Sequence, residues 1–208
     1  MFDIKKIITK ALLAVTFALG ATAAWAGPSY HVSIDSSKFV GNGGAMYFSF
    51  NSVQAATSAF ADVTNFSGAF EDEILRGGSV LGDIPGLVTF ANSGADNYLM
   101  QSVVLGGIFG FDVHFRGDFE TVAGSFGALF GVALVDLDTG EYYGGNGNLV
   151  EFQLTPPGVV DVDNPTRIVT VTPLLPPTSV PEPSDLLLVM TGLGLVAFVR
   201  RRSGKAAR

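Results

Sequence analysis

The chain has 208 residues, among them 26 glycines and 17 phenylalanines, with no cysteine and a net charge of −7. The missing cysteine excludes disulfides, thiolate metal sites and a cysteine nucleophile, so a fold exported from the cell must rest on packing or on bound ions. Positive charge is concentrated at the two ends: residues 27–183 carry four basic and 17 acidic side chains, a net of −13, which speaks against nucleic acid as a partner and favours cations or cationic groups.

Residues 1–26 read as a secretory signal peptide. Lys5, Lys6 and Lys10 supply a positive start, Ala11 to Ala23 an uncharged and largely apolar centre, and Ala24-Trp25-Ala26 a small-x-small site for signal peptidase at Ala24 and Ala26. Cleavage there leaves Gly27 as the new N-terminus and removes Trp25, the sole tryptophan. Any stacking on a sugar then falls to tyrosine or phenylalanine.

From Gly27 onward the visible pattern has period two. Tyr30, Val32 and Ile34 alternate with His31, Ser33 and Asp35; Met46, Phe48 and Phe50 alternate with Tyr47 and Ser49; Phe109, Phe111, Val113 and Phe115 alternate with Gly110, Asp112, His114 and Arg116. Such alternation belongs to strands with one face in a core and one in water. Further strands are expected over 57–66, 87–91, 98–105, 128–137, 149–155 and 167–172. Turn signals separate them at Gly41 to Gly44, Arg76 to Gly78, Asn92 to Gly94, Asp138 to Gly140 and Gly144 to Asn148. About nine short strands with glycine-rich turns predict an all-β domain over 27–172, an antiparallel β-sandwich of jelly-roll type. An outer-membrane barrel also alternates, but the strands here are uneven in length and several turns are long.

Three groups of side chains in this segment invite chemistry. His31 and His114 are the only histidines, both on the polar phase of their strands. A Ser-His-Asp triad drawn through His114 and Asp112 finds no GxSxG elbow, so His114 and Arg116 beside Asp112 and Asp118 read as an exposed charge ladder, with no catalytic residue assigned. Acidic groups come next: Glu71-Asp72-Glu73 reads as an acidic turn, Asp136-Leu137-Asp138-Thr139-Gly140 sets two carboxylates before a glycine, and Asp161-Val162-Asp163 is similar. Calcium takes such clustered oxygens, and Asp136 and Asp138 are the best candidates for it, although none of these runs has the spacing of an EF-hand loop. The plain alternative is a solvated hairpin turn, with no cofactor and no metal. A paired-carboxylate glycan hydrolase on a jelly-roll scaffold needs two acids facing one cleft, which spacing alone does not supply. The third group is Tyr142-Tyr143 beside the Gly144 to Asn148 loop, where tyrosine rings and amides together suit a carbohydrate; the competing reading puts one ring in the core and one at the surface.

Residues 173–183 form a proline-rich stalk, since proline fixes its own φ and biases its predecessor away from helix. Val180-Pro181-Glu182-Pro183 lies within it. Residues 184–208 then supply an uncharged run from Leu186 to Val199, followed by Arg200, Arg201 and Arg202, with Lys205 and Arg208 beyond. As a helix those 14 residues rise about 21 Å, short of the roughly 30 Å of hydrocarbon, with snorkelling arginines covering part of the difference. The arginines mark a cytoplasmic side and act as a stop-transfer signal.

In that order, over 29 residues, these parts resemble the PEP-CTERM sorting signal of Gram-negative, exopolysaccharide-making bacteria. The resemblance implies an exosortase-like processing enzyme as partner, with Glu182 and its prolines as the recognised motif. It further implies an inner-membrane-anchored intermediate on the way to the cell surface or extracellular matrix, with biofilm exopolysaccharide as a partner there. It brings no chemistry for the domain in front of it. The expected product is therefore a secreted, non-enzymatic matrix protein, with a carbohydrate- or calcium-binding module as the alternative and a glycan hydrolase as the second.

Overall fold

Alternating side chains become twelve strands: β1 (Ser29–Asp35), β2 (Gly43–Ser52), β3 (Phe60–Ser67), β4 (Phe70–Gly77), β5 (Val80–Gly82), β6 (Val88–Ala91), β7 (Tyr98–Val104), β8 (Ile108–Arg116), β9 (Ala128–Asp136), β10 (Val150–Thr155), β11 (Val159–Asp163) and β12 (Val169–Leu174). The structure, a computed structural model, describes residues 27–53, 56–94 and 96–174 together with position 192. Two short 3₁₀ turns, Ser37–Phe39 and Asp118–Glu120, complete the described elements. Among the described residues no helix is long and apolar enough to cross a membrane. The chain divides into two units, Met1–Leu174 and Leu175–Arg208, and every strand belongs to the first.

The strands form two antiparallel six-stranded sheets, ordered β12-β1-β8-β3-β6-β5 and β11-β10-β9-β2-β7-β4. Pairing is nested: β1 lies on β8, β2 on β7 and β3 on β6. Successive strands from β1 to β4 therefore alternate between sheets, which lets both sheets share one core.

That core is aromatic. Nine phenylalanines are almost wholly buried, and their rings span the two sheets: Phe48 of β2 meets Phe111 of β8 at 5.3 Å, and Phe130 of β9 meets Phe90 of β6 at 5.6 Å and Phe115 of β8 at 5.9 Å. Each fully buried ring contributes roughly 1.5–3 kcal/mol of transfer free energy, before edge-to-face contacts are added. The architecture is that of a β-sandwich. Buried polar groups clip its ends: Asn97 donates to the Phe50 carbonyl (2.9 Å) and accepts from the Ser79 amide (2.7 Å), and Ser36 donates to the Gly107 carbonyl (2.7 Å). Among the described residues no buried side-chain nitrogen or oxygen lacks a partner.

The structure departs from the sequence expectation in several places, among them β11, which takes up the acidic run Asp161-Val162-Asp163. Glu71-Asp72-Glu73, read as a turn, lies within β4, an edge strand of the second sheet. Its pairing with β7 shifts register twice and all three acids are exposed, so no clean alternation marks it. Charge on such an edge discourages pairing with another chain. The three-residue β5 was also not expected. Finally, β12 runs two residues beyond 172 and includes Pro173, because it too is an edge strand and a proline there need not donate to a ladder.

Candidate functional site

Two solvent faces of the sandwich bring together side chains far apart in sequence. On the outer face of the first sheet, β1, β8 and β3 place a polar ladder. His31 Nδ1 lies 2.6 Å from Asp112 Oδ1, and Asn65 donates to Asp112 Oδ2 at 2.6 Å from a bulge where its φ is +54°. One register pair along, His114 Nδ1 meets Ser29 Oγ at 2.8 Å. Next to it Arg116 donates to Asp62 at 2.6 Å, while Thr89 donates to the other oxygen of Asp62 at 2.7 Å. The Asp62 carboxylate raises the pKa of Arg116, and the guanidinium also covers the Phe60 ring at 4.4 Å.

Asp112 is thus held by His31 and not by His114, and the histidine of the imagined triad faces a serine hydroxyl instead. Ser67 and the His31 ring both flank Gly110, and Ser67 Oγ donates to the Gly110 carbonyl at 3.4 Å. Ser29 does set a hydroxyl on the His114 imidazole, but the Asp112 carboxylate that would orient that imidazole in a triad is held by His31 and Asn65.

The outer face of the second sheet is different in kind. Tyr47 of β2, Tyr98 of β7 and Tyr142 after β9 converge there. Tyr47 and Tyr98 are 5.9 Å apart at 26°, and the pKa of Tyr47 is raised first by burial and then by Tyr142, Tyr98 and Asp96. Tyr142 pairs with Val135, on the outward phase of β9, and remains half exposed. Beneath the rings the sheet offers small residues: Ala45 and Ala133 are fully covered although they point outward, Ser49 is nearly so, and a Cβ at Gly77 would come within 2.8 Å of the Tyr98 ring and hydroxyl. The Tyr98 ring therefore lies over Gly77 of β4. In the same rows towards β11 stand Asn51, Gln153 and Asp161, then Ser49, Glu151 and Asp163. These acids with Leu129, Thr155 and Val162 line a recess of about 400 Å³.

The turn expected to hold calcium is already occupied by its own donors. Asp136 Oδ1 accepts the amides of Asp138 (2.8 Å) and Thr139 (3.0 Å), and Oδ2 accepts the Tyr143 hydroxyl (2.8 Å). The Thr139 amide first, then Tyr143 and the Asp138 amide, hold the Asp136 carboxyl below the ordinary aspartate range. Asp138 brings its backbone to Asp136, and among the described residues no three of His, Asp and Glu gather in a metal-ready group. Tyr143 turns inward onto Phe39 at 4.7 Å, so the two adjacent tyrosines part company, one inside and one outside. A larger groove of about 610 Å³, lined by Ser52, Val53, Ser58 and Asn92, has its amide spent on the backbone: Asn92 donates to the Thr57 carbonyl and accepts from the Ala59 amide.

Ala24, Ala26, Val180, Pro181, Glu182, Pro183, Arg200, Arg201 and Arg202 lie outside the described residues, as does the run from Leu186 to Val199 apart from position 192. Sequence reasoning found Tyr142 but missed Tyr47 and Tyr98. Tyr47 sits on the polar phase of a strand whose inner face is legible, and that phase was the available signal; for 98–105 the sequence predicts a strand without a phase.

No family model, no characterised protein and no solved structure matches this chain.

Proposed function

We propose that the chain is an exported, non-catalytic surface or matrix protein whose β-domain is delivered by a PEP-CTERM-type route. The observation that carries this reading is the order of parts behind the domain. The compact unit closes at Leu174, and the proline run, Val180 to Pro183, the apolar run and Arg200 to Arg202 follow in sequence. A domain that ends where a proline-rich segment begins is suited to presenting a short motif to a membrane enzyme. The signal-peptide features of residues 1–26 supply the matching entry into the export route. The non-catalytic part draws support from the ladder on the first sheet, where Asp112 is held by His31 and Asn65 and not by the Ser29–His114 pair.

The sandwich itself is read as a jelly roll. Nested pairing of β1 with β8, β2 with β7 and β3 with β6 is what one long hairpin makes when it is rolled into two sheets, with β9 to β12 extending both.

The test is intact mass and fractionation of the protein from its native host beside a Glu182→Ala variant. A product lacking both ends, found outside the inner membrane and lost in the variant, supports the reading. Full-length protein in the inner membrane, unchanged by the substitution, overturns it.

A further inference from the structure

We infer that the outer face of the second sheet binds a glycan chain whose sugars carry free amines. A sugar ring presents an apolar C–H face and a rim of hydroxyls, so a receptor for it combines aromatic faces with amide, hydroxyl and carboxylate groups at the border. The β2, β7 and β9 strands supply the first part. Tyr98 lies over Gly77, and Tyr47, stacked on Tyr98 at 5.9 Å, stands among the covered Ala45, Ala133 and Ser49, so the two rings form one aromatic platform on the sheet. Tyr142 extends this surface and is the most exposed of the three. Border groups follow in register. Asn51 and Gln153 lie in one row, and Glu151 with Asp163 in the next, where the Asn148 amide also donates to Glu151 at 2.8 Å.

Charge selects among glycans. Glu151, Asp161 and Asp163 face this side, while Arg76 is engaged by Glu73 and Asp83, Arg116 by Asp62, and Lys38 lies in the first 3₁₀ turn; Arg167 follows Asp163 in the loop to β12. An anionic chain would meet three carboxylates along this path. An ammonium is favoured by carboxylates and by tyrosine faces alike. From Tyr98 on β7 to Asp163 on β11 is four strand steps, roughly 19 Å, enough for several linked sugars in one pass across the sheet. This assignment is independent of the sorting route, since it uses only side chains of the sandwich.

The experiment is calorimetric titration of the full chain, held in mild detergent at mildly acidic pH, with three probes: a chitosan oligomer, its fully acetylated neutral counterpart and an alginate oligomer. The chitosan oligomer is expected to bind tightest and alginate not at all. Tyr142→Ala and Tyr98→Ala are each expected to weaken binding about tenfold, the loss of one good stacking contact. Tyr98→Phe keeps a ring over Gly77 and should retain most of the affinity, which separates lost stacking from lost folding. Glu151→Gln with Asp163→Asn should abolish the preference for the amine-bearing oligomer. Equal binding of the neutral and amine-bearing oligomers would overturn the amine assignment. Absence of binding to all three, affinity indifferent to the tyrosines in variants of unchanged circular dichroism, or equal capture of polylysine that ignores them would overturn the site.

Discussion

His31 and Asp112 face each other across β1 and β8 with 2.6 Å between Nδ1 and Oδ1, and Asp112 gives its second oxygen to Asn65 on β3. One carboxylate thus joins three strands of the first sheet. His31 is nearly half exposed and Asp112 about one fifth, so solvent screens the pair. A double-mutant cycle with His31→Ala and Asp112→Ala is expected to give a coupling of about 0.5–1 kcal/mol in urea unfolding. Asp112→Ala alone should cost more than His31→Ala, because it also removes the Asn65 hydrogen bond that ties the left-handed bulge of β3 to β8. Equal single-mutant costs would remove Asp112 from its place as the junction.

Phe130 is the hub of the core. Its ring lies 5.6–6.5 Å from those of Phe90, Phe115, Phe50, Phe152 and Phe48, which come from both sheets. Phe130→Ala is expected to cost about 3–5 kcal/mol, and roughly 10 °C in melting temperature for a domain of this size. Tyr47→Ala, outside the core, should cost much less. Thermal melts of the two variants check the order, and a Phe130 variant that melts like the parent would contradict the packing described.

Asp136 makes the turn after β9 sensitive to acid. Its folded pKa is depressed by the Thr139 and Asp138 amides and the Tyr143 hydroxyl, so the stabilisation is complete above the unfolded aspartate value of about 3.9 and is lost as pH falls through the lower folded value. Asp136→Asn keeps an oxygen for the amides and removes the charge. The variant is expected to melt lower than the parent near neutrality and to converge on it in strong acid. A constant gap between the two from pH 7 down to pH 2 would show that the carboxylate charge is not what holds the turn.

Legibility in the sequence followed burial. β1, β2 and β8 each bury alternate residues almost completely, and their period was plain from Tyr30, Phe48 and Phe111 onward. β4 was illegible because its acids face water on both phases and its register slips twice against β7. The pairing of His31 with Asp112 spans 81 residues, and Tyr47, Tyr98 and Tyr142 come from three separated segments. Period two says which residues face outward, whereas strand order says which outward residues become neighbours. That order is set by nested, long-range pairing, which no local pattern encodes.

Ser29, the first residue of β1, stands opposite Leu174, the last of β12, and the two strands run antiparallel from that point. The chain therefore enters and leaves the sandwich at one corner. A load applied between the two ends would open the β1–β12 ladder one pair at a time, like a zipper, instead of shearing six pairs at once. The mechanical strength of the domain is thus a property of how it is tethered as much as of how it is packed.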